Sequence, residues 1–152
     1  MTTRDPSDEK KAALAAYNSV VEDAQLDDIT LIFTNFVIKP DYYKIALTQE
    51  TAHKVKRELD SDFSAFSYDA ERKFLGGQFD WSIDATFARK KLLSVRASFI
   101  VSYENVPDVE QRHMEAFIRR VGRFATYPYF RTLVSQFAWG SKAELPPLPV
   151  LK

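Results

Sequence analysis

The chain has 152 residues, enough for one domain with a real core and too few for two of ordinary size. Its 21 basic and 21 acidic residues cancel, which removes the electrostatic argument for a nucleic-acid partner, and the lack of cysteine excludes disulfides, thiolate metal sites and cysteine nucleophiles. No apolar run is long enough to insert in a membrane, and the opening MTTRDPSDEKK has no apolar segment behind it to act as a secretory signal, so a cytoplasmic protein is expected.

In chain order, Ser7 is placed to cap a helix through Ala12, Leu14, Ala15, Tyr17 and Val21, with Asp8 and Glu9 at its positive end. An alanine-rich helix of this length is marginal alone, so it must dock on its own domain or on a neighbouring subunit. From Asp28 the pattern turns to strand: Ile29, Leu31 and Phe33 alternate with Thr30 and Thr34, and Phe36 and Ile38 follow in the opposite phase, which a bulge near Asn35 reconciles. Lys39-Pro40-Asp41 breaks the strand, Tyr42 and Tyr43 open a crossover, and Thr48 to Leu59 reads as a short helix. A second strand is predicted over Phe63 to Asp69, with Gly76-Gly77 as a further break.

The strongest alternation follows. Phe79, Trp81, Ile83, Ala85 and Phe87 alternate with Gln78, Asp80, Ser82, Asp84 and Thr86. After a reversal at Arg89-Lys90-Lys91, Leu93, Val95, Ala97, Phe99, Val101 and Tyr103 alternate with polar residues, which predicts a long antiparallel hairpin with one core face and one wet face. Met114, Phe117, Ile118, Val121 and Phe124 then mark one side of a helix predicted to end near Ala125. Pro128 suits the first position of a new helix whose stripe is Phe130, Leu133, Val134 and Phe137 and whose left-handed cap is Gly140. The tail beyond it alternates Pro146, Pro147 and Pro149 with Leu145, Leu148, Val150 and Leu151, and is read as extended. The layout is α+β: a four-stranded antiparallel sheet followed by two helices packed on one face, with an extra N-terminal helix.

Tyr127-Pro128-Tyr129-Phe130-Arg131, an apolar helix, a small polar turn and the run Leu145-Pro146-Pro147-Leu148-Pro149-Val150 together resemble the C-terminal signature of the SecB family of export chaperones, including the SecB-like chaperones of toxin–antitoxin systems. The resemblance covers roughly Leu26 to Leu151 in order and is specific in the last quarter. It implies strands near Ile29 to Ile38, Phe63 to Asp69, Phe79 to Arg89 and Leu93 to Glu104, and helices over Val109 to Ala125 and Pro128 to Ala138. It divides the chain into an N-terminal amphipathic helix, residues 1–23, and a SecB-like chaperone domain, residues 24–152. Two departures are the extra N-terminal helix and a chain that stops at Lys152 without the further segment of the export-dedicated members, which weighs against a general secretion role.

What the resemblance implies is an ATP-independent holdase, a homotetramer built as a dimer of dimers, binding unfolded preproteins for the SecA motor or a cognate antitoxin. The matching client-binding candidates are Tyr42, Tyr43, Phe130, Val134, Phe137 and Trp139, and the stripe residues among them equally suit a core. Asp27, Asp28, Asp80 and Asp84 are the candidates for a SecA-type acidic patch. The 14% aromatic content fits a holdase surface as well as a core. No catalytic residue, metal ligand or cofactor site is expected: His53 and His113 have no nucleophile or ligand spacing around them, and Asp80 and Asp84 stand ~13 Å apart along a strand, too far for a glycosidase pair. The competing readings are a small-ligand-binding or enzymatic domain using a concave aromatic sheet, and a purely structural oligomer subunit.

Overall fold

The computed structural model describes residues 5–151 of the chain. Residues 1–4 of the predicted N-terminal unit, and Lys152, lie outside the described residues. Helix α1 spans Pro6–Asp23. Its cap is Asp5, whose carboxylate accepts from the Ser7 N–H at 3.1 Å, and not Ser7. Pro6 takes the first helical position, where its missing N–H costs nothing, and this moves the cap to the residue before it. The helix docks on the helix that opens at Gln111, burying Val20 completely and leaving Leu14 and Val21 exposed.

Four antiparallel strands, β1 (Gln25–Ile38), β2 (Lys56–Asp69), β3 (Phe74–Phe87) and β4 (Lys90–Glu104), form one sheet in the order β1-β4-β3-β2. The β1–β4 pairing shifts register between Leu31 and Phe33, so the bulge lies at Ile32 and not near Asn35. Placed there, it keeps Ile29 and Leu31 opposite Val101 and Phe99, and Phe36 and Ile38 opposite Val95 and Leu93, all on the core side. Because β1 and β2 are opposite edges, their connection must cross the whole sheet. It does so as α2 (Asp41–Ala46) and a 3-10 turn (Ala52–Lys54), replacing the helix expected over Thr48 to Leu59. Leu59 and Phe63 already belong to the alternation of β2, opposite Ile83 and Phe79, so the strand claims residues that the helical reading had taken. The hairpin turns one residue earlier than predicted, at Ala88 and Arg89, both at positive φ, the geometry that matches strand twist.

Gly76 and Gly77 lie inside β3 and break nothing. Gly77 faces the core, where an added Cβ would come within 2.6 Å of Phe63 and 2.8 Å of Ile118. Its missing side chain lets a helix press against the sheet. That helix is continuous: α3 (Gln111–Phe117), a π-helical turn (Ile118–Gly122) and α4 (Arg123–Ser141) follow without a gap. Pro128 therefore sits within α4 and does not open it. A helical proline costs ~3 kcal/mol, but its neighbours Tyr127 and Phe130 both pack on the buried Trp81, with ring centroids 5.0 and 5.8 Å away. The Trp81 indole N–H also donates to Thr126 Oγ1 at 2.9 Å, so breaking the helix here would undo the centre of the core. Gly140 is likewise internal to α4. Lys142 adopts the left-handed conformation instead, at φ 59°, and the Ala143 N–H closes the end on the Ala138 carbonyl at 3.0 Å.

Candidate polypeptide-binding clefts

Helix α4 covers the inner face of β3 and β4 and leaves apolar hollows along its flanks. The first, of about 520 Å³, lies between Val134, Ala138 and Trp139 of α4 and the segment Glu144 to Leu148. The second, of about 530 Å³, lies between Phe124, Tyr127, Pro128 and Arg131 of the same helix and Val150 and Leu151. A third, also about 530 Å³, separates α4 from β1, with Leu31 and Phe99 on the sheet side and Tyr129 and Leu133 on the helix side. All three are open clefts with largely apolar walls.

The six aromatic and aliphatic candidates fall into three groups. Trp139 is 88% exposed and stands at the rim of the first cleft, and Val134 forms part of its wall. Tyr43 and Phe137 are partly exposed: the Tyr43 hydroxyl donates to the Ser141 carbonyl at 2.6 Å, and Phe137 stacks on Phe36 with centroids 5.0 Å apart. Tyr42 and Phe130 are wholly buried. The Tyr42 hydroxyl donates to the Ala143 carbonyl at 2.7 Å, and burial pushes its phenol above the ordinary range against the pull of Arg57. Tyr42 thus pins the crossover to the end of α4, and truncating it together with Tyr43 would cost fold as well as surface.

The acidic candidates do not come together. Asp28 pairs with Ser102 and Asp84 with Ser94, so these acids are separated by roughly 27 Å along β4 at ~3.4 Å per residue. Asp27 accepts from Ser102 Oγ at 3.0 Å. Asp84 is flanked by Lys91 at 3.5 Å and Arg96 at 3.7 Å, which largely neutralise it. Burial works against the charge of Asp80, yet hydrogen bonds from Ser98, Gln78 and Ser64 outweigh it and hold the carboxyl below its usual range. The wet face carries dispersed acids, each with its own neighbours, and the second oxygen of Asp84 is buried without a hydrogen-bond partner among the described residues. What sequence reasoning missed is the tail as a cleft wall, although Leu145, Leu148 and Leu151 recur at every third position and carry that signal.

No family model and no curated protein matches the chain. Among solved structures it is similar to the Mycobacterium tuberculosis SecB-like chaperone Rv1957 in complex with a ChAD peptide from the Rv1956 HigA1 antitoxin. The TM-score is 0.65 and the identity 20%, over 91% of this chain and 95% of that one. A protein of unknown function from Streptococcus agalactiae aligns over 86% of this chain and 97% of that one at 9% identity, with a TM-score of 0.32. With the first the fold is shared nearly end to end, and the strand and helix order is the one that the C-terminal motif implied.

Proposed function

We propose that this chain, which has the SecB-like fold, is a holdase chaperone that binds extended apolar segments of non-native polypeptide in the clefts along α4. The observation that carries the reading is Trp139, an aromatic left 88% exposed at the rim of an apolar cleft. A side chain of that size is otherwise buried or seated in an interface, because its apolar area is costly to leave in water. Holding needs no nucleotide on this account, since burial of the client's apolar surface supplies the driving force.

A cognate antitoxin is the favoured client over preproteins bound for SecA. Two observations support that choice: the fold neighbour carries an antitoxin peptide, and the acids that would meet SecA are dispersed and partly neutralised here. The assembly expected is a dimer of dimers in the cytoplasm. Its support is the β1 edge, where Leu26, Ile32, Phe33 and Val37 are exposed along an edge strand beside Ile100.

The test is suppression of aggregation when a guanidinium-unfolded protein is diluted into the chain at micromolar concentration. Trp139→Ala should keep the parent's thermal midpoint and lose most of the protection, because truncating an exposed cleft residue costs affinity and little folding energy. A parent that protects no unfolded client would end the holdase reading. A folded Trp139→Ala variant that protects as well as the parent would move the site elsewhere.

A further inference from the structure

The segment after α4 has a periodicity of its own. Leu145, Leu148 and Leu151 recur every third residue with Pro146, Pro147 and Pro149 between them, and three residues per turn is the pitch of a polyproline II helix. The leucines therefore share one side. Burial follows that side: Leu148 is 6% exposed and Leu145 and Leu151 are half-buried against the core, while the three prolines and Val150 face solvent. Among the described residues, one hydrogen bond ties Glu144 to Leu151 to the body, from the Tyr127 hydroxyl to the Pro149 carbonyl. Neither a strand ladder nor a helix holds this segment.

Its seat lies in the middle of a longer trough. Ser135 lines both the first and the second cleft, and the tail forms the opposite wall of each. Lifting the tail joins them into one apolar channel along α4 from Phe124 to Trp139.

We infer that Glu144 to Leu151 is a detachable occupant of this trough, and that the trough takes in trans an extended segment with an apolar residue at every third position and prolines between. The tail's role as a competitor of clients rests on the holdase reading, whereas its docking does not. Tethered directly to the helix end, the tail acts at an effective concentration on the order of millimolar. An incoming segment binds only the fraction of chains whose tail has lifted, so its apparent affinity falls by that fraction.

The probe is a fluorescein-labelled peptide of the tail's own sequence, ELPPLPVL, titrated by anisotropy against the full chain. Leu148→Glu and Leu151→Glu place a charge where a leucine is buried or half-buried, which lifts the tail and leaves the α4 wall of the trough unaltered. Both should bind the peptide about tenfold or more tightly than the parent, with far-UV circular dichroism and thermal midpoint near the parent's. Folded variants that bind no tighter than the parent would overturn the inference. So would variants that melt early, since the tail would then be part of the core. Aggregation suppression by the parent is read separately, so failure of the holdase reading and failure of this one are distinguishable.

Discussion

Tyr103 shows how little a single residue's pattern reveals of its surroundings. It alternates into the core face of β4 like its aliphatic neighbours, and its ring meets Phe117 edge-on at 5.1 Å. Its hydroxyl is buried with no hydrogen-bond partner, and burial pushes its pKa up to about 12 from 10.0. With a folded value above the unfolded one, the neutral phenol's contribution is fully present below pH 10 and lost as pH rises through about 12. Tyr103→Phe should therefore fold as well as the parent or better at neutral pH, by up to ~1 kcal/mol, since an unsatisfied buried group is removed and the ring retained. It should also flatten the alkaline limb of stability. Urea midpoints between pH 8 and pH 12 check both, and a variant less stable at pH 7 would mean that the hydroxyl has a partner. Trp81 and Trp139 make the same contrast in function: one is 1% exposed and organises the core, the other 88% exposed and offered as a binding residue, yet both are single aromatics in apolar stretches.

At the scale of the element, two glycines of one helical run answer to different neighbours. An added Cβ at Gly122 would stand 2.7 Å from the Phe79 ring and 3.1 Å from its next atom, inside the tightest contact between helix and sheet. At Gly140 nothing lies within 4 Å. Gly122→Ala should destabilise by ~1–3 kcal/mol through overpacking, whereas Gly140→Ala should stabilise by ~0.5–1 kcal/mol because the helical backbone gains alanine's propensity. Thermal melts of the two variants decide it, and a shift of the same sign in both would contradict the packing described. The same run explains why a proline misled the helix boundary. Pro128 marks a start in isolation, but the packing of Tyr127 and Phe130 on Trp81 exceeds the cost of one missing hydrogen bond.

For the whole molecule, the exposed edge is the feature that a monomer leaves unexplained. Phe33 is 53% exposed on the wet face of β1 opposite Ser98, and Val37 shares that face opposite Ser94. Leu26 and Ile32 are exposed along the same edge strand, whose outer side has no partner among the described residues. Multi-angle light scattering on the parent at micromolar concentration should give an oligomer, and Phe33→Lys should lower its mass by placing a charge on that surface. A monomeric parent would remove the assembly proposed above. Charges already interrupt the opposite edge, where Lys56, Arg57, Glu58, Asp60 and Asp62 line β2, so β1 is the edge left for pairing.

Local chemistry was enough for the hairpin of β3 and β4, the α+β layout and the extended tail, because strict alternation and clustered prolines restrict the backbone wherever they occur. Trp139 became a candidate through the family resemblance, and its 88% exposure is a property of the folded chain. The rest depended on contacts between distant residues. Whether Gly77 breaks a strand or admits a helix is decided by Ile118, whether Tyr42 lines a groove or pins a crossover by Ala143, and whether four acids form a patch by their partners across β4. Each of those neighbours is many residues away in the chain, and the free energy of packing against it exceeds the local preference that a short stretch expresses.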